Sequence, residues 1–157
     1  MKEITFIPLL SGGTTLLDFN DLAWACLHVW TSHEGKYAVR HYKTPEGKWR
    51  NGWMHRDIIE AEDCCEVDHV NGSKLDNRRH NLRSASPTEN RRNRPRRADN
   101  TSGYKGVNYN KRDQKFQARI SVNGKSKSLG YYKTAIEAHT AYVAYGSVEH
   151  GKFFNPG

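Results

Sequence analysis

The sequence predicts an α+β protein made of two small modules in series. Three observations predict it. The 157 residues are only 36% hydrophobic, with a mean hydropathy of −0.90, which is thin for one large core. The segment "RRNRPRRADNTSG" stops a helix at Pro95 and runs on in turn-forming residues, which marks a seam. Beyond that seam, alternation of period 2 gives way to a period near 3.6, the mark of strands followed by a helix. The expected division is 1–94 for the first module, 95–102 for a linker and 103–157 for the second.

The elements follow in order. "MKEITFIPLLSGG" holds too short an apolar run, broken at Pro8, to serve as a secretory leader. "KYAVRHY" (36–42) alternates as a strand, "TPEGK" is a turn, and "WRNGWMHRDIIEA" reads as a strand entering a short helix. Trp24, Trp30, Trp49 and Trp53 all lie in this half and are expected to supply most of its core. "CCEVDH" reads as a strand ending at Asp68-His69, and "VNG" as the turn after it. In "SPTENRRN", Ser86 as N-cap, Pro87 at the first helical position and Glu89 at the third form a capping box, so Asn90 falls in an early turn of a short helix.

Past the seam, "YKGVNYN" (104–110), "KFQARISV" (115–122) and "KSLGYY" (127–132) read as three strands. The middle one places Phe116, Ala118, Ile120 and Val122 on one face and Lys115, Gln117, Arg119 and Ser121 on the other. Asn123-Gly124 is the dipeptide of a type I′ hairpin turn. Thr134 and Glu137 open a helix whose stripe is Ala138, Ala141, Tyr142 and Tyr145. A three-stranded antiparallel sheet covered on one face by a helix is expected.

Net charge is +8, and residues 78–97 carry eight Arg against one Glu, so the excess is concentrated in one stretch. That favours a polyanionic partner, nucleic acid before anionic lipid. Three cysteines, Cys26 and the adjacent Cys64-Cys65, give no CxxC spacing. No structural zinc is expected, and a reducing, cytoplasmic setting in a bacterial or phage-infected cell fits best. A membrane partner is not expected.

The stretch "EVDHVNGSKLDNRRHNLRSASPTENRRNRPRR" (66–97) brings together a carboxylate, an imidazole, several carboxamides and many guanidinium groups. Carboxylate and amide oxygens suit Mg²⁺ or Mn²⁺. A neutral imidazole takes a proton from water near neutral pH. Those are the needs of phosphodiester hydrolysis.

The residues "VDHVNGSKLDNRRHNLRSASPTENRRN" resemble the ββα-metal motif of HNH endonucleases, in the His-Asn-Asn form of phage and intron homing enzymes. The resemblance implies a metal-dependent DNA endonuclease with His69 as general base and Asp68 as a metal ligand. It implies Asn81 as the middle Asn that braces the loop between two strands, and Asn90 as a second ligand, with one divalent cation per centre. Asn77, in "LDNR", fits the middle role as well, and "MHR" (54–56) resembles the family's entry strand and helix.

Beyond the seam, Y-K-G-V, L-G-Y-Y, T-A-x-E-A and the final G-x-F-F-N are similar to an AP2-type DNA-binding domain. That likeness implies a sheet laid into the major groove. Expected DNA contacts are Arg78, Arg79, Arg83, Arg91, Arg92 and Arg94 on phosphates, and Lys105, Asn108, Asn110, Lys111, Gln117, Arg119 and Lys127 in the second module. The expected partner is double-stranded DNA, and the expected state a monomer or weak homodimer. The competing reading is an AP2-type regulator with an inactive HNH half. RNA binding is disfavoured because the middle strand's polar face lacks stacking aromatics.

Overall fold

A computed structural model describes residues 4–157; Met1–Glu3, where the N-terminal apolar reading begins, lie outside the described residues. The chain is α+β, with four small antiparallel sheets and few helices among the described residues. It divides into a unit ending at Asn90 and a unit Arg91–Gly157. No described helix is long and apolar enough to cross a membrane.

The first unit opens with a hairpin, β1 (Ile4–Pro8) and β2 (Thr14–Asp18), and a short helix α1 (Leu22–Ala25). Strands β3 (Thr31–His33), β4 (Tyr37–Lys43) and β5 (Trp49–Trp53) form an antiparallel sheet in that order, and β5 runs directly into α2 (Met54–Ile58). A two-stranded ladder, β6 (Glu66–His69) on β7 (Leu82–Ala85), precedes α3 (Pro87–Arg92). Ser86 and Glu89 exchange reciprocal caps: the Ser86 N–H donates to Glu89 Oε2 at 2.8 Å, and the Glu89 N–H donates to Ser86 Oγ at 3.3 Å.

The core of this unit is Ile7, Leu9, Leu17, Ala25, Trp30, Ala38, Met54, Ile58, Val67 and Leu82. Of the four tryptophans only Trp30 is fully buried. Trp24 and Trp53 are half-buried, and Trp49 is 69% exposed at the start of β5, outside the core in which it was expected. Trp49 pairs with Lys43 at the far end of the β4–β5 ladder.

The second unit is a sheet of β8 (Val107–Asn110), β9 (Lys115–Val122) and β10 (Lys125–Tyr132), with β9 in the centre. Asn123 and Gly124 take φ of 50° and 76°, as the hairpin turn requires. Helix α4 (Ala135–His150) opens with the full Thr134/Glu137 capping box. Its buried positions are Ala138, Tyr142, Gly146 and His150, a stripe of spacing four, where the sequence placed Ala141 and Tyr145. The stripe extends because the chain returns after α4 and brings Phe154 against Gly146, where a Cβ would lie 2.1 Å from the ring. The stretch expected as a linker is folded into this unit. Asn100 Nδ2 donates to the Tyr104 and Val107 carbonyls, and Asn155 Nδ2 to the Asn93 carbonyl.

Candidate functional site

The site is assembled on the β6–β7 hairpin and the long turn that joins its strands. Side chains alternate along β6, so Glu66 and Asp68 share one face and Val67 and His69 the other. His69 is fully buried. Its Nε2 lies 3.2 Å from Asn77 Oδ1. The orientation of that carboxamide is set elsewhere. The Thr15 hydroxyl donates to the Leu75 carbonyl at 2.9 Å, so its oxygen must accept from Asn77 Nδ2 at 2.8 Å. Asn77 therefore presents its oxygen to the ring, Nε2 carries the proton, and Nδ1 carries the basic lone pair. Burial lowers the His69 pKa to about 4, although the bond to Asn77 opposes it. The imidazole is neutral at physiological pH and can accept a proton.

The joining turn is braced from within. Asn81 Oδ1 accepts the Asn71 N–H at 2.9 Å, and its Nδ2 donates to the Asp76 carbonyl at 2.7 Å. Asp76 accepts from Asn71 Nδ2 and from Arg78 Nε and Nη2, and these donors hold its carboxyl below the usual range, the Arg78 bonds most strongly. The β1–β2 hairpin supports the turn from outside: the Leu16 N–H donates to the Leu75 carbonyl and the Asn77 N–H to the Leu16 carbonyl, both at 2.8 Å. The two carboxamides thus divide the roles that the sequence left open. Asn77 orients the imidazole and Asn81 holds the turn.

On the other face of β6, Asp68 is buried and its Oδ2 accepts from Arg83 Nε at 2.8 Å and Nη2 at 2.5 Å, across the β6–β7 ladder. Asn90, on α3, donates Nδ2 to Glu66 Oε2 at 2.5 Å, two residues along the same face as Asp68. Asp68, Glu66 and Asn90 thus offer carboxylate and carboxamide oxygens from one side of the hairpin. Such a donor set fits Mg²⁺ or Mn²⁺, with the Asp68 carboxylate shared with Arg83. Glu66 had no role in the sequence reading, because only the pairing of α3 with β6 brings it to Asn90. A separate group of metal-ligating type lies at Glu62, Cys64 and Cys65, whose donor atoms are within 4.8 Å of one another. These cysteines and Cys26 are free thiols, and none lies in the core.

The arginines expected on phosphates are divided by the fold. Arg78 is held by Asp76, Arg79 by Asp21 with a shortest contact of 2.6 Å, and Arg83 by Asp68. Arg91 and Arg94 are exposed and Arg92 is half-buried. In the second unit, Asn108 pairs with Gln117 and Arg119 with Ser128 on the sheet face away from α4. Lys111 is exposed in the β8–β9 turn.

Three expected contacts are engaged elsewhere. Lys105 is half-buried, and its Nζ donates to the carbonyls of Arg92, Arg94 and Asn155, with burial lowering its pKa to about 8. Lys127 pairs with Ile120 and so points to the helix side, where Nζ donates to the Tyr145 hydroxyl at 2.8 Å. Asn110 Oδ1 accepts the N–H groups of Arg112 and Asp113, closing the β8–β9 turn. Sequence spacing does not reveal these partners, which come from register and chain return.

Sequence reasoning missed Tyr37, Lys74 and the part played by His55. The Tyr37 ring lies 6.2 Å from the His69 ring and 5.4 Å from the His55 ring, and the two imidazoles are 5.3 Å apart. His55 is buried at the start of α2 and its pKa is lowered to about 3, first by burial and then by the positive charge of a protonated His69, Arg56 and Lys74.

No family model matches the chain, and no solved structure matches it. Over 63 residues the chain is 36% identical to "Protein 3.8" of Escherichia phage T7, a match covering 40% of this chain and 52% of that protein. The chain therefore spans about half the length of the curated relative it matches.

Proposed function

We propose that the protein is a metal-dependent DNA endonuclease of the HNH type, with an AP2-like module that supplies DNA affinity. The observation that carries this reading is the buried His69 imidazole, neutral and fixed by Asn77 as the Nε2–H tautomer, on a strand whose other face gathers Asp68, Glu66 and Asn90. In this reading Nδ1 of His69 takes the proton of a water directed at the scissile phosphorus. The His69 ring has no exposed surface, so that water reaches Nδ1 only when a neighbouring side chain gives way. Asp68 and Asn90, with Glu66 beside them, would hold one Mg²⁺ or Mn²⁺, which supplies positive charge to the leaving 3′ oxygen. The family likeness implies 5′-phosphate and 3′-hydroxyl ends.

One centre cuts one strand, so a monomer nicks and a double-strand break needs a second centre. The likeness to a phage T7 protein favours a phage or mobile-element enzyme, cutting DNA in the cytoplasm of the infected cell.

A second reading has its own observation. Arg83 already neutralises Asp68, and His69 is closed to solvent, as in a structural centre. The protein would then be a DNA-binding regulator. Conversion of supercoiled plasmid to open circle, with Mg²⁺, Mn²⁺ or EDTA, separates the two readings. The plasmid should carry the DNA that flanks this gene. The nuclease reading expects metal-dependent nicking that falls about 10²- to 10⁴-fold in His69→Ala while DNA binding is kept. Binding without nicking in either metal would establish the regulator.

A further inference from the structure

The cations of the first unit differ in what holds them. Arg40 donates to Asp57, Arg78 to Asp76, Arg79 to Asp21 and Arg83 to Asp68. Arg56 donates to the carbonyls of Ala61, Glu62 and Cys65. Lys74 is the contrast. Its side chain is half-buried, yet among the described residues its ammonium makes no hydrogen bond or ion pair. Nζ lies over the face of Tyr37, 5.9 Å from the ring centroid, and interacts electrostatically with Asp68, His69 and His55. Tyr37 is also the ring that packs against His69 and His55.

Partial burial lowers the Lys74 pKa and the charge of Asp68 opposes it, without a direct contact between the two groups. Lys105 differs, with three carbonyls around Nζ. A cation–π contact compensates Lys74 only in part, about 0.5–2 kcal/mol. Three N–H donors that share the Tyr37 ring as a neighbour with His69 make a place for a tetrahedral oxyanion. Asp68 does not fill it, because its carboxylate lies on Arg83.

We infer that Lys74 is the phosphate-binding cation of the His69 centre, its ammonium donating a hydrogen bond to a non-bridging oxygen of the scissile phosphodiester. The inference rests on the nuclease reading. Negative charge grows on the non-bridging oxygens as water adds to phosphorus, so the ammonium stabilises the transition state more than bound substrate. Lys74 transfers no proton in this role.

Single-turnover nicking and DNA affinity should be measured for Lys74→Met and Lys74→Arg. The expected result is a rate 10²- to 10³-fold lower in Lys74→Met, with affinity changed less than tenfold and much of the rate restored in Lys74→Arg. Replacing one non-bridging oxygen at the cut site by sulfur should slow the unmodified protein but add little to the loss in Lys74→Met. A Lys74→Met rate within threefold of the parent would overturn the inference.

A second measurement does not depend on cutting or on the folding of Lys74→Met. Lysines are dimethylated with ¹³C, and the Lys74 methyl signal is identified by its absence in Lys74→Arg. Duplex carrying the flanking DNA, added with EDTA, should move that signal. A signal that stays in place would sink the phosphate contact. If the parent protein cuts nothing in either metal, the nuclease reading fails, and a signal that still moves then reports a phosphate contact that is not at a scissile bond.

Discussion

Residues 66–90 and 107–150 are both small antiparallel sheets followed by a helix with a reciprocal cap, and their interiors differ in polarity. The second buries Val107, Ala118, Ile120, Ala138 and Tyr142 between sheet and helix. The first buries Val67, Leu82 and Ala85, and beside them Asp68, His69, Asp76, Asn77 and Asn81. Apolar burial stabilises by about 25 cal/mol per Å², whereas a buried polar group must recover its lost hydration through hydrogen bonds. The interior of 107–150 is explained by stability alone. That of 66–90 fixes the position, tautomer and charge of particular groups, and is the place to look for chemistry.

The comparison is most sharply tested where packing is tightest. Gly106 has φ of +75°, and a Cβ there would lie 2.1 Å from the Tyr142 ring. Gly106→Ala is expected to destabilise the second unit by about 3 kcal/mol, from overpacking and left-handed strain together. All four tryptophans precede Asn90, so their fluorescence reports the first unit alone. The far-UV dichroism of α4 should melt early while the tryptophan signal keeps its midpoint. A matching shift in both signals would mean that the two interiors unfold together.

Asn77→Ala makes the reciprocal test. It removes the acceptor of His69 Nε2 and the donor to Thr15 Oγ1. A loss of about 1–3 kcal/mol is expected, this time in the tryptophan signal. If nicking is observed, it should fall as well, because the tautomer is no longer fixed. An unchanged tryptophan midpoint would show that this polar network contributes little to stability.

Acid should also weaken the first unit. His69 and His55 have pKa values lowered from 6.5 to about 4 and about 3, so between these values and 6.5 the unfolded chain binds more protons than the folded one. Their contribution is fully present above pH 6.5 and is lost as pH falls toward about 4 and 3. Urea midpoints followed by tryptophan fluorescence should drop over that window, and drop less in His55→Gln. A midpoint flat from pH 7 to pH 5 would contradict the buried, neutral imidazoles.

The smallest effect is expected at the caps. Thr134→Ala removes the acceptor of the Glu137 N–H and should cost about 1 kcal/mol in the second unit, measured by the dichroism of α4. Ser86→Ala, at the start of the six-residue α3, should move the tryptophan midpoint by no more than that.

Local chemistry made much of the fold legible in the sequence. The Asn123-Gly124 turn, the alternation of Phe116 to Val122 and both capping boxes concern residues within a few positions of one another, so their sterics and hydrogen bonds are written in the chain. The candidate site was legible as a set of residue types, Asp68, His69, Asn77, Asn81 and Asn90 in one stretch.

What those residues do to one another was decided by tertiary structure. The Asn77 carboxamide is oriented by Thr15, 62 positions away, and Arg79 is neutralised by Asp21, 58 positions away. Asp68 meets Arg83 through strand register, and Lys74 is brought over the Tyr37 ring rather than onto a carboxylate. Hydrogen bonds and ion pairs act over a few ångströms of space whatever the separation along the chain. The sequence therefore named the groups with the chemistry, and only the folded arrangement determined which nitrogen is basic and which carboxylates are occupied by which cations.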